Sequence, residues 1–125
     1  MTTLLATYRR PEGGEEALAT FLRRYHEEHL PLVAMTPGLR ATRVQRIAEA
    51  LGGETDLVLI TAMDFDDRPA LDAGLASDAM RQAGRNLREI APGLATFLVV
   101  EDAPELDAAA SPPVDTVWTT TEGST

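Results

Sequence analysis

Two short apolar runs, residues 57–63 and 95–100, constrain the fold of this chain more than any other feature. Both are too short for a buried helix and contain several β-branched residues, which is typical of strands. A shorter run at residues 4–8 and a run of mixed polarity at residues 39–48 also have strand character. The sequence therefore predicts four strands, with longer segments between the first and second and between the third and fourth.

Those two longer segments, residues 15–35 and 69–90, carry apolar side chains at helical spacing. We expect Pro31 to kink or interrupt the first helix, because proline removes a backbone donor and crowds the preceding turn. The second helix is predicted to break near residues 76–78, with Ser77 capping its second piece. The resulting order is βαββαβ, a ferredoxin-like α+β fold with a four-stranded antiparallel sheet.

The runs at 57–63 and 95–100 are apolar on both faces of the predicted strands. A ferredoxin-like sheet carries helices on one side only, so a monomer would show alternating strands. A second copy of the same sheet would cover the other face and give a symmetric homodimer. The alternative is that these are ordinary central strands, with the C-terminal segment as the cover.

Charge divides the chain into a domain over residues 1–102 and an acidic, Pro/Ala/Thr-rich segment over 103–125. The net charge of the whole chain is −9. Six of the acids and none of the arginines lie after residue 100, so the net charge of residues 1–100 is near −3. Neither part offers the basic face that nucleic acid requires. The last segment is predicted to be a disordered acidic tail or an arm that docks Val117 and Trp118.

The chain contains no cysteine and no lysine, which excludes disulfides, thiol nucleophiles and lysine Schiff bases. No apolar run approaches the roughly 20 residues that span a bilayer. The first residues lack a basic leader. We therefore expect a cytoplasmic protein with no membrane partner.

The two histidines, His26 and His29, lie three residues apart in the sequence YHEEHLPL at residues 25–32. His29 falls on the apolar stripe of its helix, whereas His26 is predicted to be half-exposed. Glu27 and Glu28 are interpreted as solvated charges. A third ligand at suitable spacing is lacking, so no metal site is predicted.

These motifs resemble the EthD family, a member of the dimeric α+β barrel superfamily. The resemblance rests on YRRP at residues 8–11, YHEEHLPL at 25–32 and PGL at 37–39, and more weakly on LASD at 75–78 and PG at 92–93. It covers roughly residues 3–101. It implies ferredoxin-like protomers that pair their sheets into a dimeric barrel, with a small-molecule pocket between helices and sheet in each.

The resemblance and the apolar stripe together make His29 the candidate catalytic residue, as a proton shuttle. The alternative is a core histidine with a satisfied hydrogen bond. Tyr8 and Tyr25 are candidate phenolic donors to a substrate, or otherwise amphipathic core residues. The full set of candidate substrate-binding residues is Tyr8, Tyr25, His26, Leu22 and Leu32.

The resemblance implies a small aromatic, ketide or lactone ligand and chemistry of the isomerase, decarboxylase, cyclase or monooxygenase type, with no cofactor. One alternative is a non-catalytic accessory module beside an oxygenase. Another is haem binding, with His26 or His29 as the axial ligand. The lactone isomerases in the superfamily are expected to use a second histidine away from this helix, with a cysteine nearby. Here the second histidine lies on the same helix and cysteine is absent, so that reaction is not expected.

Overall fold

The computed structural model describes residues 1–107 of the 125-residue chain. The predicted Val117–Trp118 arm therefore lies outside the described residues. The elements, in order, are β1 (Thr2–Arg9), α1 (Gly14–Arg24), a π-helical segment (Tyr25–His29), α2 (Leu30–Val33), β2 (Ala41–Arg46), β3 (Leu57–Phe65), α3 (Arg68–Leu75), α4 (Asp78–Ile90), β4 (Ala95–Glu101) and α5 (Pro104–Asp107). None of the helices within these residues is long and apolar enough to cross a membrane.

The four strands form one antiparallel sheet in the order β2-β3-β1-β4. This is the ferredoxin-like βαββαβ arrangement predicted from the sequence. Strand β1 lies in the middle, and its even-numbered residues face the helices while its odd-numbered residues face the other side. Leu4, for example, is buried and pairs with Met63 on β3 and Val99 on β4.

The core lies between the helix-facing side of the sheet and the helices α1, α3 and α4. The fully buried side chains include Tyr8, Phe65 and Leu71, one from each of β1, β3 and α3. Helix α4 contributes Ala83, Leu87 and Ile90, which recur at helical spacing. This packing holds the helices on one face of the sheet and leaves β4 at the edge.

The helical segment after β1 is less regular than predicted. The sequence predicts one helix over 15–35 with a disturbance at Pro31, but the disturbance lies before the proline, as a π-helical turn. The backbone N–H of Leu30 donates to the carbonyl of Tyr25, five residues back. Pro31 has no N–H and its ring crowds the carbonyl four residues earlier, so a wider turn there avoids the clash.

The second helical segment breaks where the sequence predicts. Helix α3 ends at Leu75, and the Ser77 hydroxyl accepts a hydrogen bond from the backbone N–H of Met80 at 3.2 Å. This is the N-cap geometry that favours serine. Strand β2 is shorter than the predicted 39–48, and all of its residues are exposed because it is an edge strand with no helix above it.

The face of the sheet opposite the helices carries several apolar side chains. Leu5 pairs with Leu98, and both point away from the helices together with Ile60 and Val100. Leu98 and Val100 are exposed in the single chain. Helix α5 falls within the segment that the sequence assigns to the tail, and residues beyond it are outside the described part.

Candidate functional site

A cavity of about 340 Å³ lies between the helices and the edge of the sheet formed by β1 and β4. Its walls come from both layers: Leu4, Tyr8, His29, Val33, Met63, Leu75, Met80, Ala83, Gly84, Leu87, Phe97 and Val99. Within residues 1–107, Tyr8 and His29 are the lining residues whose side chains carry nitrogen or oxygen. The volume falls in the range of small-molecule sites, and an apolar wall with a few polar groups is their usual composition.

His29 sits at the end of the π-helical segment and is 4% exposed. The wide turn places Tyr25 and His29 on the same inward face, with their ring centroids 5.0 Å apart. Burial lowers the pKa of His29 below its usual 6.5, and hydrogen bonds to Asn86 and to the backbone of Ala83 only partly oppose that effect. The imidazole is therefore neutral at pH 7.

Asn86 of α4 orients the His29 ring. Its Oδ1 lies 3.2 Å from Nδ1 of His29, and its Nδ2 donates to Oε1 of Glu28 at 3.0 Å. Glu28 also accepts from Nε and Nη2 of Arg24, at 2.8 and 3.0 Å. The sequence interpretation of Glu28 as a solvated charge is wrong in this respect, because the half-buried carboxylate joins two helices.

A second polar chain runs through the core beside the cavity. The hydroxyl of Tyr25 donates to the hydroxyl oxygen of Tyr8 at 3.1 Å and lies 2.5 Å from Oγ1 of Thr61. Tyr25 has one proton to give, so Thr61 donates to Tyr25. Burial raises the pKa of Tyr8, so the phenol stays protonated and has a proton to donate to an acceptor in the cavity.

The structure separates the other predicted substrate-binding residues from the cavity lining. His26 is exposed because it lies on the outer side of the π-helical segment. Leu22 and Leu32 are half-buried and pack against the core. Tyr25 is buried outside the lining, where its hydroxyl contacts Tyr8 and its ring packs against His29. The sequence thus placed Tyr8 and His29 in one site, and their roles there stay predictions.

Asn86 is the residue that sequence analysis missed. It lies three residues after Ala83 and four before Ile90, both of which are buried on the inner face of α4. A polar residue at that spacing is a visible signal for an inward-facing amide. Its partner, His29, could be identified only once α4 was docked against the first helical segment.

The residues that the structure describes contain no group of three histidine or acidic side chains able to hold a metal ion. Haem binding stays a prediction. Of the two histidines considered as axial ligands, His29 lines the cavity and His26 lies at the surface. Chemically, the site offers an imidazole as proton acceptor and a phenol as proton donor, in surroundings that are otherwise apolar.

Comparison with solved structures identifies the family. An EthD family protein from Bacillus halodurans is 30% identical to this chain, with a TM-score of 0.73, and the match covers 82% of this chain and 99% of that one. This chain belongs to the EthD family. The resemblance noted in the sequence is thereby confirmed, and the EthD fold accounts for nearly the whole described region.

Two more distant structures share only the fold with this EthD chain. A dimeric protein of ferredoxin-like fold from Bacteroides fragilis is 17% identical, with a TM-score of 0.60 and coverage of 81% and 95%. A cofactor-independent oxygenase from Streptomyces nogalater is 15% identical, with a TM-score of 0.54 and coverage of 81% and 91%. No family model matches the EthD chain, and no curated protein does.

Proposed function

We propose that this EthD protein binds a small aromatic, ketide or lactone molecule in the cavity and moves a proton on it through His29, without a cofactor. The observation that carries the proposal is a buried, oriented imidazole in the wall of an otherwise apolar cavity. A neutral imidazole accepts a proton and returns it at another position, which is the step common to isomerases, decarboxylases and cyclases of this kind.

Tyr8 complements His29 in this proposal. As the base removes a proton from a carbon next to a carbonyl, negative charge develops on the carbonyl oxygen. A protonated phenol placed in the cavity wall stabilises that charge by donating a hydrogen bond. The apolar lining keeps water away, which strengthens this interaction and protects the enolate from stray protonation.

We also propose that the protein acts as a homodimer through the sheet face that carries Leu5, Ile60, Leu98 and Val100. Contiguous exposed apolar side chains favour association. The Bacteroides fragilis neighbour of the same fold is described as dimeric. A second sheet packed on this face gives the dimeric α+β barrel that the sequence resemblance implies.

Proton transfer is tested with an apolar enolisable ketone, 2-tetralone, in D₂O. We expect the protein to accelerate exchange of the acidic C–H protons, followed by ¹H NMR, and the His29→Asn variant to return the rate to that of buffer. Equal rates for the wild type and His29→Asn would contradict the role of His29.

A second variant separates binding from chemistry. Gly84 lines the cavity, and a Cβ there would meet only Nη1 of Arg88, at 3.8 Å, so Gly84→Leu adds its side chain at the cavity wall. We expect Gly84→Leu to lose both binding and exchange, and His29→Asn to lose exchange while it still binds. Binding by the wild type with no exchange would favour the alternative of a non-catalytic binding module.

A further inference from the structure

We infer that Glu28 and Asn86 are positioning residues that hold His29 as its Nδ1–H tautomer, and that the cavity consequently selects an uncharged ligand that donates an O–H proton to Nε2, such as a phenol or an enol. The inference rests on the proposed function, since the ligand must occupy the cavity. It adds to that proposal a preference for hydroxyl-donating ligands and a positioning role for Glu28 and Asn86.

Arg24 fixes the ionisation of Glu28. The guanidinium holds the pKa of Glu28 below its usual range through two hydrogen bonds, so the group is a carboxylate at neutral pH. A carboxylate only accepts hydrogen bonds. The NH₂ end of the Asn86 amide must therefore face Glu28, as the 3.0 Å contact from Nδ2 to Oε1 records.

The orientation of Asn86 then decides the tautomer of His29. With its NH₂ directed at Glu28, Asn86 presents its carbonyl oxygen to Nδ1 of His29, 3.2 Å away. That oxygen only accepts, so Nδ1 carries the proton of the neutral ring. The neutral ring has a single proton, so with that proton donated to Asn86 the nearby backbone carbonyl of Ala83 receives none. Nε2 keeps its lone pair, as an acceptor for whatever occupies the cavity.

The cavity wall sets the charge of the ligand. In the part of the chain that the structure describes, none of the residues lining the cavity is an arginine or an acid. A carboxylate or phosphate placed there would lose its hydration and gain no counter-ion, which is costly in an apolar site. An uncharged molecule with a hydroxyl donor satisfies Nε2 and leaves the rest of its surface against apolar side chains.

The tautomer is measured without any ligand, by long-range ¹H–¹⁵N NMR correlation of the histidine rings. We expect the wild-type spectrum to show a protonated Nδ1 and an unprotonated Nε2 for His29. In Glu28→Gln the new amide can face Asn86 with either end, so Asn86 can turn its NH₂ toward His29 and both tautomers are expected. Asn86→Leu should give the same loss of preference.

Glu27→Gln is the matched control, because Glu27 pairs with Arg23 as Glu28 does with Arg24 but lies on the exposed side of the segment. It should leave the His29 tautomer unchanged. An Nε2–H tautomer in the wild type, or an Nδ1–H tautomer that survives both Glu28→Gln and Asn86→Leu, would overturn the inference.

Ligand preference is measured by calorimetric titration with phenol, anisole and benzoate. We expect phenol to bind the wild type about 3- to 10-fold more tightly than anisole, the ratio that one net hydrogen bond provides. Benzoate should bind at least about 10-fold more weakly than phenol, because it brings an unpaired charge. Glu28→Gln should narrow the phenol-to-anisole ratio toward one without weakening anisole.

Failures of the two proposals give different results. Equal binding of phenol and anisole to the wild type would overturn the selection inferred here while leaving the cavity as the binding site. A preference for benzoate would do the same. If none of the three probes binds and Gly84→Leu changes nothing, the cavity is not a ligand site, and both the proposed function and the inferred selection fail.

Discussion

Nδ1 of His29 lies 3.2 Å from Oδ1 of Asn86, a residue 57 positions further along the chain. This contact joins the π-helical segment to α4 beside the cavity. It determines which nitrogen of the buried imidazole is free to meet a ligand.

The burial of His29 makes the stability of the protein depend on pH. Burial holds the pKa of His29 in the folded protein below 6.5, its value in the unfolded chain. Above pH 6.5 the ring is neutral in both states and its contribution to the stability of the fold is fully present. That contribution is lost as the pH falls from 6.5 toward the folded pKa, because the unfolded chain then takes up a proton that the folded one does not. The free energy of unfolding should fall by at most about 1.4 kcal/mol per pH unit from this group.

Urea titrations of the wild type and His29→Asn between pH 7.5 and 4.5 measure this effect. The groups around the ring, Glu28, Arg24 and the two tyrosines, are present in both proteins, so the difference between them isolates His29. His26→Asn, which alters an exposed ring, serves as the matched control. A difference between wild type and His29→Asn that does not change with pH would contradict the prediction.

The Tyr25 hydroxyl should contribute measurably to stability because it holds two buried partners. Tyr25→Phe leaves the hydroxyls of Tyr8 and Thr61 without their shared partner, at a cost of about 1–3 kcal/mol. Tyr8→Phe should cost less, since it removes only one of these hydrogen bonds and leaves the one between Thr61 and Tyr25 in place. The order of the two urea midpoints tests this, and a larger loss in Tyr8→Phe would refute it.

Two helical glycines should respond in opposite directions to the same substitution. Gly84→Ala should raise the free energy of unfolding by about 0.5–1 kcal/mol, because alanine favours the helix and the new methyl group meets only Arg88, at 3.8 Å. At Gly74 a Cβ would lie 2.8 Å from Cε1 of the buried Phe65. Gly74→Ala should therefore cost about 1–3 kcal/mol through overpacking.

Thermal unfolding of both glycine variants beside the wild type checks these signs. Stabilisation by Gly74→Ala would show that Phe65 moves freely, contrary to its place in the core. Destabilisation by Gly84→Ala would show that the space around the Cβ position of Gly84 is narrower than the structure indicates.

The sheet face opposite the helices should hold two copies of the chain together. Sedimentation of the wild type should give twice the 13.5 kDa chain mass. Leu98→Asp places a charge in the proposed interface and should yield the single-chain mass. Phe97→Asp is the control, because the side chain of Phe97 points to the helix side of β4, opposite to that of Leu98. A dimer that survives Leu98→Asp would place the interface elsewhere.

The fold could be predicted from local patterns. Short apolar runs predict the strands, and Ser77 predicts the break between α3 and α4, because serine is a preferred N-cap residue. The π-helical turn could not be predicted from the sequence. It depends on which backbone N–H groups donate to the carbonyls ahead of Pro31 once Tyr25 and His29 are packed against the sheet.

The candidate site was predictable only in part, for a related reason. Helical spacing alone places His29 on an inward face, and the end of β1 supplies Tyr8. The Asn86 and Glu28 contacts arise from the docking of α4 against the first helical segment, over separations of 57 and 58 residues. Sequence periodicity describes each helix separately and does not say which residues meet between them.

The cavity at His29 is proposed to receive a small uncharged molecule. The most direct test of this proposal is NMR of the protein labelled with [¹³C-methyl]methionine during titration with phenol. Met63 and Met80 line the cavity, whereas Met1 and Met35 are exposed elsewhere. Saturable shifts of the Met63 and Met80 methyl signals, with Met1 and Met35 unmoved, are the predicted result. Shifts confined to Met1 and Met35, or no saturable shift at all, would contradict the claim.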